Sequence, residues 1–236
     1  MTTLPLDPVA IPRAQSAFTT APPTLDELAV RYGTDKRVGV HSYTKWYDAL
    51  FSPRRWDRLT MLEIGVQSGA SIRMWADYFP NARLVGIDID PRCAQFATKR
   101  VQIITGSQDN PEIAAFLSGE YSSGFDIVID DGSHVGEHQR ASLDLYFPLV
   151  KPGGMYVVED LHCAYSPKFL GNTDKRFIDV LKDRVDDVNL HGLTGVGDYD
   201  LSERQAAAVR PLSVFEREIE SITFLRSMAV IQKRMR

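Results

Sequence analysis

Residues 62–71 read LEIGVQSGAS, an apolar run that meets two glycines and then changes its periodicity. LTM (59–61) extends the run backwards into a buried strand, and SIRMWADYF, from Ser71 onward, repeats apolar residues at helical spacing. A strand that turns on glycines directly into a helix opens a doubly wound α/β sheet, and such sheets bind ligands at that turn. Further apolar strands follow at 83–90 (RLVGIDID), 101–107 (VQIITGS), 125–131 (FDIVIDD) and 154–160 (GMYVVED). Between them lie the helical stretches CAQFATKR, PEIAAFLSGEY and EHQRASLDLYFPLV, with Asn110-Pro111 as cap and first residue of the second of these. Strands alternating with helices of this size predict a parallel sheet covered on both faces. The tail EIESITFLRSMAVIQKR (218–234) reads as two closely connected strands, an antiparallel pair at the sheet edge. The fold class is therefore α/β, a mostly parallel seven-stranded sheet with an antiparallel edge strand. Upstream, Thr24 and Glu27 form a capping box for a short helix closed by Gly33, and a second helix covers Tyr43 to Phe51.

The 236 residues are 44% hydrophobic and 25% charged, which suits one globular domain over 23–236 behind a loosely held arm, 1–22. After Asp160 the alternation breaks, and 161–210 reads as a lid or substrate-facing insertion. A net charge of −4 gives no footprint for nucleic acid. No apolar run reaches the roughly 20 residues a membrane span needs. The start has no basic segment followed by an apolar core, and Cys93 and Cys163 form no disulfide framework, so a reducing cytoplasmic compartment is expected.

The glycine loop departs from the dinucleotide fingerprint, because Gln67 stands where a glycine would approach a pyrophosphate. Glu63 before the turn would repel that group but would suit a cofactor with a cationic end. S-adenosylmethionine carries an ammonium and a sulfonium. Asp88, 25 residues beyond Glu63, ends the second strand where a carboxylate can accept ribose hydroxyls, and Ser107 and Gln108 end the third near the adenine. Gly65, Ser71 and Asp130 complete the expected cofactor set.

FDIVIDDGSH (125–134) carries Asp131 to the tip of the fourth strand, and VVED carries Glu159 and Asp160 to the tip of the fifth. Three carboxylates crowded together raise one another's pKa unless a cation sits between them. An oxygen-only set of this kind favours Mg²⁺. His134, three residues past Asp131, is the expected general base, and His162 a pocket-lining residue. HVGEH (134–138) also matches a zinc-protease pattern, but that chemistry needs all five residues on one helix, and here they start at a strand end.

EIGVQSGASIRMW, DDGSH and VEDLH, with the early RYGTDKRVGVHSYTKWY, resemble the Mg²⁺-dependent sugar O-methyltransferases of natural-product biosynthesis, over roughly residues 25–236. The resemblance implies a Rossmann-like class I methyltransferase fold and an enzyme that methylates a sugar hydroxyl of a glycosylated small molecule. It implies that Asp131, Glu159 and Asp160 hold the metal, that His134 is the base, and that Thr34-Asp35-Lys36 folds over the cofactor. A homo-oligomer, dimer or tetramer, is expected. A catechol-like phenol as acceptor, or a non-catalytic binding protein of the same fold, are the alternatives.

Overall fold

The computed structural model describes residues 21–189 and 210–235. Seven strands form one sheet: β1 (Thr60–Ile64), β2 (Arg83–Asp88), β3 (Val101–Thr105), β4 (Phe125–Asp130), β5 (Val150–Val158), β6 (Ile219–Leu225) and β7 (Met228–Lys233). Their spatial order is β3-β2-β1-β4-β5-β7-β6. The chain leaves β1 in one direction to build β2 and β3, then returns to its other side for β4 and β5. That reversal puts the crevice of the sheet at the carboxyl ends of β1 and β4. The expected pair closes the edge, with β7 antiparallel to β5 and β6 antiparallel to β7.

Alternation along the strands sorts the side chains onto two faces. Met61, Ile127, Ile129 and Val157 pack with α1 (Leu25–Tyr32), α2 (Thr44–Phe51) and α3 (Ala70–Tyr78). Leu62, Ile64, Val128, Tyr156 and Val158 pack on the other face with α4 (Pro111–Glu120), α5 (Gly136–Tyr146), α6 (Phe177–Val188) and α7 (Val214–Glu218). The local signals hold. The Thr24 hydroxyl accepts from the Glu27 amide, the Glu27 carboxylate accepts from the Thr24 amide at 2.8 Å, and Gly33 ends α1 at φ 73°. Asn110 caps α4 through the Glu112 amide.

Two expectations change. The link between β2 and β3 is only a 3-10 turn over Pro91–Phe96, because a single short segment there spans the edge of the sheet. The segment expected as a lid is partly a structural layer: α6 buries Phe177, Ile178, Val180 and Leu181 in the core. The rest of that segment, 190–209, and all but the last two residues of the expected arm lie outside the described residues.

Candidate active site

A cavity of about 410 Å³ opens at the carboxyl ends of β1 and β4, running from the glycine loop to Asp131, His134 and Asp160. Its first half is built from backbone. Gly65 has φ 91°, and a Cβ there would lie 2.1 Å from the Asp131 carbonyl oxygen, so no other residue fits. The Asp88 carboxylate accepts from the amides of Val66 (2.8 Å), Gln67 (2.7 Å) and Asp90 (2.8 Å). It therefore shapes the loop and also lines the cavity. Gly65, Ser71, Asp88, Ser107, Gln108 and Thr34 all line this cavity.

Two residues expected to touch the cofactor do not line it. Glu63 points to the opposite face from Ile64, where its Oε1 accepts from the Trp75 indole at 3.0 Å and its Oε2 is buried without a partner. Burial pushes its carboxyl up to about 7. Asp130 is buried on the other face, where it accepts from Tyr156, Gly132 and Gln108, and burial raises it also to about 7. Gln108 in turn accepts from the Ser133 amide at 2.7 Å and donates to Ser142 at 2.8 Å. Asp130 thus fixes the loop that carries Asp131 and His134. Sequence reading missed Ile89, which lines the cavity with 74% of its surface exposed, an apolar platform beside Asp88.

The second half is built from side chains. Glu63, Asp131 and Glu159 fall on the α1–α2 face, and Lys36 reaches in beneath them. Its ammonium lies 2.5 Å from Asp131 Oδ2 and 2.7 Å from Glu159 Oε2, fully buried. Burial lowers the pKa of that ammonium, but Asp131, Glu159 and Glu63 together carry it well above the ordinary lysine value. Glu159 accepts a second, very short bond from the Tyr47 hydroxyl. Burial and the charge of Asp131 hold its own pKa well above the carboxylate range. Thr34 and Asp35 face the cavity as the resemblance implies, but Lys36 turns away from it into the carboxylates.

Asp131 and Asp160 face the cavity, and Glu159 does not. Asp160 sits in the left-handed region at φ 55° and accepts from the Tyr43 hydroxyl at 2.7 Å. Three imidazoles surround it: His134 Nε2 at 3.6 Å from Oδ2, and His41 and His162 Nδ1 each at 3.9 Å from Oδ1. His41 and His162 stack at 5.9 Å between centroids. Tyr43 and Tyr47, one helical turn apart, were legible as a shared helix face in YTKWY; His41 gave no such signal.

Asp131, His134 and Asp160 each bring one ligand atom within 4.8 Å of the others. His134 Nδ1 is buried and has no hydrogen-bond partner. Two carboxylates and an imidazole around one point at a cavity wall fit a divalent cation. The zinc-protease reading fails on geometry. His138 lies inside α5 and faces Ser133 and Asp109, away from this cluster.

Residues 62–161 match the family described as a methyltransferase domain. The chain is 40% identical over 163 residues to demethylmacrocin O-methyltransferase of Streptomyces fradiae, covering 66% of this chain and 41% of that one. It is 35% identical over 222 residues to 8-demethyl-8-alpha-L-rhamnosyl tetracenomycin-C 2'-O-methyltransferase of Streptomyces olivaceus, covering 90% of this chain and 55% of the relative. Among solved structures, MycE methyltransferase from the mycinamycin pathway, in complex with Mg, SAH and mycinamycin VI, superposes with a TM-score of 0.75 at 32% identity. That match covers 91% of this chain and 56% of MycE. The chain thus spans between about two fifths and just over half of the length of these relatives.

Proposed function

We propose, on the premise that residues 62–161 are a methyltransferase domain whose homologues are sugar O-methyltransferases, that this chain methylates a sugar hydroxyl of a glycosylated small molecule. The observation that carries the reading is one continuous cavity with a glycine-and-aspartate loop at one end and Asp131, His134 and Asp160 at the other. When bound, S-adenosylmethionine supplies a sulfonium methyl, and Mg²⁺ supplies charge that favours an ionised hydroxyl. Gly65 admits the donor close to the backbone, Asp88 meets the ribose hydroxyls and Ile89 takes the apolar face of the base. Asp131 and Asp160, which face the cavity, would hold the metal, with Glu159 directly behind them. His134 takes the proton from the sugar hydroxyl, which at neutral pH is otherwise fully protonated and a poor nucleophile. The Asp160 carboxylate, 3.6 Å from His134 Nε2, stabilises the imidazolium that this transfer forms. Alignment of donor and acceptor across the cavity supplies much of the acceleration.

No helix among the described residues is long and apolar enough to cross a membrane. A cytoplasmic homo-oligomer acting on a diffusible acceptor belongs to the same proposal. The test is methyl transfer from labelled S-adenosylmethionine to a panel of glycosides and their aglycones, with Mg²⁺ or with excess chelator. Label is expected in glycosides alone, with turnover lost in chelator and restored by Mg²⁺. Transfer to phenolic aglycones, or full activity in chelator, overturns the reading.

A further inference from the structure

Lys36 is a lysine without access to water, placed where a divalent cation would also be drawn. Its ammonium touches Asp131 and Glu159, which are 95 and 123 residues away in the chain. Asp131 is shared: its Oδ2 meets Lys36, and the residue also lines the cavity beside Asp160. Three acidic side chains, Asp131, Glu159 and Asp160, share one ammonium, so the cluster has room for a further positive charge. Lysine is suited to such a place because its head is a compact point charge on a flexible stem, able to yield a carboxylate without leaving it unpaired.

We propose that Lys36 is a resident cation of the metal site: it holds Asp131 and Glu159 together before a divalent ion binds, and competes with that ion for the same carboxylates. It is a positioning residue, and it makes the metal site weaker and the protein more stable than the carboxylates alone would. The ammonium opposes the incoming ion by like charge at close range. Without it, Glu159 is a buried carboxylate with no compensating charge, which destabilises the fold until a metal arrives. The inference rests on the proposed metal site.

Its test needs no turnover. Mg²⁺ binding is measured by titration calorimetry, and Mn²⁺ binding by electron paramagnetic resonance, on wild type, Lys36→Met and the double variant Lys36→Met/Glu159→Gln. Lys36→Met is expected to bind Mg²⁺ at least tenfold more tightly than wild type, with a lower melting temperature in chelator and a larger rise on adding Mg²⁺. The double variant removes both charges, so its stability in chelator is expected to recover and the gain in affinity to vanish. If Lys36→Met does not fold, Lys36→Gln carries the same expectation, since its amide can still bond both carboxylates. Affinity within twofold of wild type makes Lys36 a structural ion pair only and overturns the proposal. Weaker binding by the variant overturns the competition as well. No Mg²⁺ binding by wild type or any variant overturns the metal reading itself, and this proposal with it.

Discussion

The two halves of the cavity stand at the end of one sheet and are built from different materials. The proposed donor half uses main chain: Gly65 leaves room, and Asp88 ties the amides of Val66, Gln67 and Asp90 in place. The acceptor half uses side chains from distant elements: Lys36, Tyr43 and Tyr47 from the first helical layer hold Asp131, Glu159 and Asp160 from the sheet. A backbone site is shaped by local sequence and tolerates little change of shape. A side-chain site is shaped by long-range packing and depends on charge balance.

Substitutions that act on one half and spare the other sharpen this contrast. The largest effect is expected of His134→Ala. Turnover should fall by about 10²–10⁴, the usual worth of a positioned base, while S-adenosylhomocysteine binding stays unchanged. Single-turnover kinetics alongside calorimetry checks both; a matching loss of cofactor binding breaks the division between the halves. Gly65→Ala comes next, because the new methyl meets the Asp131 carbonyl oxygen and the backbone is held at φ 91°. Strain of this kind costs about 1–3 kcal/mol, read as a lower denaturation midpoint, and cofactor binding should be lost with it.

Asp88→Ala is expected to be milder. It strands the amides of Val66 and Gln67 and removes an acceptor from the cavity. Cofactor binding should weaken by about 1–3 kcal/mol, the scale for hydrogen bonds to a charged group, with Mg²⁺ binding untouched. A change in Mg²⁺ affinity would join the two halves energetically. The smallest effect per pH step concerns Glu63, whose carboxyl is raised from 4.5 to about 7 by burial. The folded chain holds that proton where the unfolded chain has lost it, so stability should fall as pH rises from about 4.5 to 7. Glu63→Gln should flatten this dependence by at most about 1.4 kcal/mol per pH unit, leaving the part due to Asp130. Urea denaturation from pH 4.5 to 7.5 measures it, and an unchanged slope removes Glu63 as its source.

The same contrast decides what could be read before the fold was known. The sheet, its strand count and the glycine loop were legible because they are written in periods of two and 3.6 residues and in short turns. Asp131, Asp160 and His134 are legible because they follow within a few residues of the apolar runs that form β4 and β5. The charge of Glu63 suits a cationic cofactor, and Asp130 belongs to the expected cofactor set, but neither side chain lines the cavity. Crowded carboxylates did call for a cation, and part of the answer was a lysine more than ninety residues upstream. No local pattern marks a residue whose partners are made by folding.

The position of β7 has a consequence for how the chain is made. It is the last strand in sequence, yet it lies between β5 and β6, pairing Val158 with Ala229 and Met155 with Gln232. The turn before it also serves the site, since the Ser227 carbonyl accepts from the Leu161 amide and from the Tyr43 hydroxyl. On the ribosome, β1 to β5 emerge first and can dock as a parallel sheet whose outer edge, β5, has nothing beside it. That edge is a strand with unpaired amides and carbonyls until residues 228–233 arrive, the kind of surface on which nascent chains pair with one another. Tyr43, which also bonds Asp160, meets Ser227 in the same moment that the edge is closed. Pairing of β7 therefore covers that edge and brings the Ser227 carbonyl to Leu161 and Tyr43 in one event.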